Sequence, residues 1–289
     1  MAILKLINKY FLKSIVGPLC AFGLPLFFVL MFFAMGKNQF AIALPVVVSI
    51  GILAVTLMII PTLIIELRKS LILKRIGTSQ ITTHHFVFIL VVYFYAWIGL
   101  TIAYSFALFA IIAPLAISDY NAIWRQHHIA STIYACVLLG TLGIVIAVFI
   151  GTFCKNAMIA SAVAFILIFF SMFTAGLLMP FSLIRQIDAM VILNYFLPLN
   201  WPMLMMQEAW GVSSFELVGG LPSALVVASN NIWDLTPLKI NAFQFGGLKI
   251  LADYEVISTG AKLWHMVGPY VVLGGLTTAI ALAFRWTER

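Results

Sequence analysis

Charge is the scarcest commodity in this chain. Of 289 residues only 9% are Asp, Glu, Lys or Arg, while 64% are hydrophobic and the mean hydropathy is +1.13. A soluble domain carries about a quarter of its residues charged, because its water-facing shell needs them. That shortage excludes a cytosolic enzyme, a disordered regulator and a secreted disulfide scaffold, and makes lipid the solvent for much of the chain. Acidic residues are the rarest, 9 against 16 basic ones, for a formal charge of +7. Cysteine is nearly absent too. Cys20, Cys136 and Cys154 are odd in number, far apart and set in apolar surroundings, which reads as helix packing rather than ligation or bridging.

What is present is a series of long apolar runs. A hydrocarbon core of about 30 Å takes about 20 helical residues, and the runs near 15–35, 41–65, 86–114, 129–151, 157–179 and 265–285 meet that need. The expected fold is an all-α integral membrane protein with six transmembrane helices. The first run is too long for a signal-peptide core and is read as an uncleaved helix. Charge then sets the orientation. With the N-terminus inside, the inner loops hold ten basic residues (Lys5, Lys9, Lys13, Arg68, Lys69, Lys74, Arg75, Lys155, Arg285, Arg289) against Glu66 and Glu288. The outer loops hold six basic against seven acidic residues, so the inside carries +8 and the outside −1. The positive excess therefore reflects topology rather than a nucleic-acid partner, with both termini cytoplasmic in a multi-pass protein. The want of a transit-type leader fits a bacterial plasma membrane. The chain divides as one membrane domain, 1–289, with an amphipathic N-terminal helix at 1–14, a cytoplasmic helix at 66–80 and a large outer segment at 180–264 between helices 5 and 6. Asn200 to Pro202, Gly219 to Pro222 and Asn230-Asn231 punctuate that segment, and Leu217 to Ala228 is too short to span.

Chemistry inside a membrane requires ionisable residues at depth, yet no run has Asp, Glu, Lys or Arg at its middle. No His-Glu-x-x-His, Gly-x-Ser-x-Gly or helical carboxylate pair occurs. The pairs His84-His85 and His127-His128 stand at run ends, where neighbours point to different helix faces; they read as interfacial histidines, and no metal site is expected. The single Gly36-Lys37 pair has Met31 where a P-loop needs Gly and Asn38 where it needs Ser or Thr. The chain is thus not expected to be an enzyme or to hold a cofactor, and any ATP must bind elsewhere.

The informative stretch runs from Glu66 through Arg68, Lys69, Leu71, Lys74, Arg75 and Ile76 to Gly77, Thr78, Ser79 and Gln80. It follows span 2 without a helix breaker. Ile64, Leu67 and Leu71 share one face, Arg68 and Arg75 another. Gly77 stops the helix with Lys74 and Arg75 in its last turn, where cations suit the macrodipole. It is either a positive-inside anchor on anionic lipid or a lever whose apolar ridge and arginines dock in a partner's groove. A second amphipathic helix alternates Ile3, Leu4, Ile7 and Phe11 with Lys5, Lys9 and Lys13. Pro25, Pro45, Pro61 and Pro114 stand where they would kink spans.

This layout, with Glu66-Leu67-Arg68-Lys69 followed by Leu73-Lys74-Arg75-Ile76-Gly77-Thr78-Ser79, and with Ala175-Gly176-Leu177-Leu178-Met179-Pro180 closing span 5, resembles the permease subunits of ABC-2 type transporters. The resemblance implies that 66–79 is a coupling helix on a separate cytoplasmic ATPase, where ATP and Mg are bound. The turn from Phe153 through Lys155 to Asn156 would make a lesser contact. It also implies a second permease chain, identical or related, with spans 2 and 5 lining the route. Members often have Leu-Pro after the coupling helix, where this chain has Gly77-Thr78-Ser79-Gln80. The expected function is export of an apolar or amphipathic substrate, such as a drug, a lipid-like molecule or a peptide; the substrate-binding residues are unknown. The alternative is a non-transporting membrane anchor, assembly or immunity protein acting through its outer segment.

Overall fold

The computed structural model describes residues 2–13, 16–35, 43–69, 83–116, 128–178, 196–210, 238–240, 243–245, 248–250, 254–257 and 259–283. Eight helices account for nearly all of them. Helix α1 is Ala2–Lys13, α2 covers 16–35, α3 is Ala43–Lys69, α4 is Thr83–Ala116, α5 is Ile129–Phe153, α6 is Ala157–Thr174, α7 is Asn200–Ala209 and α8 is Thr259–Ala283. Two short antiparallel strand pairs lie between α7 and α8. Strand β1 (Leu238–Ile240) pairs with β4 (Tyr254–Ile257), and β2 (Phe243–Phe245) pairs with β3 (Leu248–Ile250) inside them in sequence.

Among the described residues four helices have the length and apolar composition to cross a membrane: Ala43–Lys69, Phe88–Leu115 within α4, Ile129–Phe153 and Ala157–Thr174. The apolar parts of α2 and α8, Leu19–Ala34 and Val267–Ile280, are shorter. Helices overlap all six apolar runs read from the sequence, four of them at spanning length, and two boundaries move. Helix α8 starts at Thr259, so the predicted outer segment 180–264 ends in helix. Helix α6 stops at Thr174 rather than 179, because Gly176 takes φ 76°. There the Gly176 amide donates to Phe173 O (3.1 Å) and the Leu177 amide to Met172 O (3.0 Å), a Schellman closure that glycine alone enters without a Cβ penalty. The surface left over is apolar: Ile111, Leu115, Met158 and Ile166 are each at least 64% exposed. Water does not tolerate such a surface; hydrocarbon does.

Helix α3 is the hub, apolar on every side and almost wholly enclosed, with α2, α4, α5 and α6 around it. Two π segments interrupt the regular turns, Leu19–Gly23 in α2 and Ala54–Ile59 in α3. Each ends two residues before a proline, Pro25 or Pro61. Proline supplies no N–H and its ring collides with the carbonyl four residues back, so a widened turn takes up the misfit. Pro45 lies in the first turn of its helix, where the missing donor costs nothing.

Helix α5 runs parallel to α3 along a ridge of residues four apart. Ser131, Ala135, Leu139, Gly143, Ala147 and Gly151 are all buried. A Cβ on Gly143 would meet Thr56 Oγ1 at 2.5 Å, and one on Gly151 would meet Ile64 Cβ at 3.1 Å. Small residues thus bring the two backbones together, which supplies the dispersion contact that lipid-exposed helices otherwise lack. The N-terminal helix does what its pattern predicts. Ile7 and Phe11 are fully buried, and the Phe11 ring meets Tyr93, Phe94 and Trp97 of α4. The Tyr93 hydroxyl donates to Asn8 Oδ1 at 2.9 Å.

The hydroxyls of Tyr134 on α5 and Tyr270 on α8 are 2.6 Å apart. Tyr134→Phe or Tyr270→Phe alone is expected to cost about 0.5–2 kcal/mol, the range of polar contacts within bilayers. The double Phe variant loses both groups together and is expected to cost less than the two singles summed. Denaturant titration in detergent measures the cycle, and strict additivity would show that this contact contributes nothing.

Candidate functional site

Of the residues singled out in the sequence, Glu66, Arg68, Lys69, Lys155 and Asn156 lie among those described. Leu71, Lys74, Arg75, Ile76, Gly77 and Thr78 lie outside them, as do the rest of the predicted 66–80 helix and the stretch Leu217 to Ala228. Helix α3 carries Glu66 and Lys69 to its end with both side chains exposed. Arg68 is half-buried and turns back onto α5. Its Nη1 donates to Gly151 O at 3.2 Å and to Thr152 O at 2.7 Å. Both carbonyls belong to the last turn of α5, where they have no intrahelical amide to accept from and where the helix dipole favours a cation.

This geometry revises the docking ridge. Ile64 and Leu67 are 3% and 1% exposed, and Ile64 seats on Gly151, so within the described residues that ridge packs inside the chain rather than in a partner's groove. Arg68 is likewise engaged within the chain. The end of α3 is thus held to the last turn of α5, which leads directly into the α5–α6 turn. The turn itself is short. Cys154 leaves α5 in extended conformation, Lys155 is exposed at the tip, and Asn156 caps α6, its Oδ1 accepting from the Met158 amide at 3.0 Å. Phe153, Met158 and Ile159 are exposed beside Lys155. Among the described residues around this turn, Glu66, Lys69 and Lys155 are exposed together with an apolar fringe.

The opposite end contains a feature that the sequence reading passed over. Asn200 to Pro202, read as punctuation, opens helix α7, with Pro202 in its first turn. Helix α7 folds back into the helix bundle. Asn200 Nδ2 donates to Thr174 Oγ1 at 2.7 Å and Gln207 Nε2 to Ala175 O at 2.8 Å, all of them buried. The Ser49 hydroxyl meets Met206 Sδ at 3.7 Å. Trp201 fills the notch left by Gly268 of α8, where a Cβ would stand 3.0 Å from its ring. His128 finishes the arrangement: its amide donates to Ala209 O at 2.8 Å, and its Nδ1 accepts from the Ser131 amide at 3.2 Å as N-cap of α5. The available signal for α7 was its run of Trp201, Met203, Met205 and Met206 with polar Asn200 and Gln207 seven apart, one face of a short helix. His128 thus serves as a helix cap. Among the described residues no three His, Cys, Asp or Glu side chains come together as a metal site.

Helix α3 is buried along Ala43–Leu53 and on to Leu57, so over that stretch it presents no open face. Helix α6 does, through Ile159, Val163, Ile166 and Phe173. Comparison of the whole chain with protein-family models, with curated proteins and with solved structures finds no match in any of the three.

Proposed function

We propose that this chain is the membrane-spanning permease subunit of an ATP-driven exporter of the ABC-2 type. Six helices cross the bilayer with both termini cytoplasmic. A separate ATPase subunit engages 66–79 and the Phe153–Asn156 turn, and a second permease chain, identical or related, completes the route. The observation that supports this reading best is the Arg68 bridge to Gly151 O and Thr152 O. It ties the first segment that the resemblance assigns to the ATPase to the helix turn leading directly into the second, so a push on either reaches α3 and α5 together. Ions make poor cargo, since no charged side chain lies deep in the apolar runs; an apolar or amphipathic molecule suits them. With α3 enclosed, the exposed face of α6 is the surface that a second copy would meet across the route.

The test is reconstitution. The tagged chain is purified from its native membrane, a co-purifying protein is identified as a P-loop ATPase, and both are placed in vesicles loaded with a fluorescent amphipathic dye. ATP-dependent dye movement is expected, and Lys74→Glu with Arg75→Glu is expected to abolish both complex formation and transport while Arg68 keeps its internal bridge. Transport unaffected by that double reversal would overturn the coupling assignment. A chain that acts without nucleotide, through residues 180–264, would favour the anchor or immunity reading instead.

A further inference from the structure

A slot of about 620 Å³ opens between α4 and α5. One wall is Tyr95, Ile98, Gly99, Ile102 and Phe106; the other runs from Ile129 to Val137 through Thr132, Ile133 and Cys136. Its cause lies in two glycines. A Cβ added to Gly99 would meet nothing within 4 Å, which leaves the middle of the slot empty. At Gly140, by contrast, the helices are in reach of one another, since a Cβ there would make an ordinary contact with Ile98 Cδ1 at 3.4 Å. The bottom is sealed by the hydroxyls of Tyr95 and Thr141, which hydrogen-bond to one another. The slot thus ends near Gly140 and extends, among the described residues, to Ile129, the first residue of α5.

Three observations identify what fits. The volume falls in the range of about 300–1,000 Å³ typical of small-ligand sites. Polar atoms on the walls are already engaged within the chain: Thr132 Oγ1 donates to His128 O at 3.3 Å, and the Tyr95 hydroxyl bonds Thr141 and Val137 O. A water or a polar ligand therefore finds few partners there. The depth is the third. From Ile129 to Val137 the wall spans eight helical steps, about 12 Å, and one leaflet of hydrocarbon is about 15 Å deep. The rim is lipid-facing, with Ile129 65%, Ile133 59% and Val137 51% exposed.

We infer that this slot is a binding site for one acyl chain of a bilayer phospholipid, lying along α5. The inference depends on the membrane setting of the chain and is independent of the ATPase reading. A resident tail replaces the missing dispersion contacts across the Gly99 gap and keeps α4 and α5 at a fixed separation.

The experiment uses vesicles of phosphatidylcholine carrying a photoactivatable diazirine along the tail. The full chain is illuminated, and adducts are mapped by mass spectrometry. Adducts at Ile102, Ile133 and Val137 are expected to exceed those at the freely lipid-facing Ile111 and Leu115 by about tenfold, equivalent to about 1.4 kcal/mol of preference over bulk lipid. Gly99→Leu, which projects into open space, is expected to bring the slot adducts down to the level of Ile111 and Leu115 without changing the latter. Val137→Trp closes the slot from the other wall and is expected to do the same at Ile102 and Ile133. Equal yields at all five positions in the wild type would overturn the site, as would an enrichment that both variants leave intact. The unchanged yield at Ile111 and Leu115 separates loss of the site from loss of the fold.

Discussion

Arg68→Glu is expected to lower the stability of the purified chain by about 2–4 kcal/mol, the scale of hydrogen bonds to a charged group with an unfavourable helix-dipole contact added. The wild-type guanidinium donates to Gly151 O and Thr152 O, two acceptors at the negative end of α5. A carboxylate in its place faces the same oxygens as a third acceptor. Arg68→Lys keeps the charge but shortens the reach and loses the planar donor, so it is expected to fall between wild type and Arg68→Ala. Denaturant titration in detergent ranks the variants. Hydrogen exchange then locates the effect: faster exchange is expected at the last turn of α5 and the amides of 157–160, with no change at α7. Equal stability of the Ala and Glu variants would show that the dipole contact is of no account.

The second large effect is at Gly143. Gly143→Leu is expected to prevent accumulation of a folded chain, and Gly143→Ala to cost about 1–3 kcal/mol despite the better helix propensity of alanine. The added methyl would stand 2.5 Å from Thr56 Oγ1 and 3.0 Å from Thr56 Cβ. Thr56 has no easy retreat, because it is β-branched, fully buried and donates to Ile52 O at 2.9 Å. Thr56→Ala in the Gly143→Ala background removes both Oγ1 and Cγ2 of that side chain and is expected to restore part of the loss. Gly274→Ala on α8, where a Cβ meets nothing within 4 Å, is the matched control and is expected to be neutral or slightly stabilising. The yield of folded chain reads out Gly143→Leu, thermal unfolding in detergent measures the other three, and a Gly143→Ala chain as stable as its Gly274→Ala counterpart would refute close packing of α3 on α5.

The helical layout was legible because lipid imposes a single requirement, a long apolar run, and such runs are hard to hide in a sequence. Ile7 and Phe11 announced the N-terminal amphipathic face at helical spacing, whereas the stop of α6 at Thr174 was missed, because Gly176 stands within an unbroken apolar run. The partners of Arg68 were not legible. They are backbone carbonyls, which every residue possesses, so the sequence around Gly151 and Thr152 carried no distinctive letter beyond the small-residue ridge at Gly143, Ala147 and Gly151. The inward turn of Ile64 and Leu67 was hidden for a related reason: an apolar ridge looks the same whether its groove belongs to the same chain or to another. Helix α7 was obscured by Asn200 and Pro202, which open helices as readily as they break them. The slot at Gly99 is the hardest case, since a void is made by what two distant helices fail to supply.

The π segment of α3 has a consequence for direction. An uninterrupted helix advances about 100° per residue, so one residue more or fewer in a turn swings everything beyond it by that angle. Ala54–Ile59 lies between the part of α3 locked within the bundle and the turn that carries Glu66, Arg68 and Lys69. The widened turn therefore sets the azimuth of all three. With a plain α turn there, Arg68 would point about a quarter-circle away from the carbonyls of Gly151 and Thr152. Pro61 acts here as a steering element: by favouring the wide turn, it aims the guanidinium at the end of a neighbouring helix.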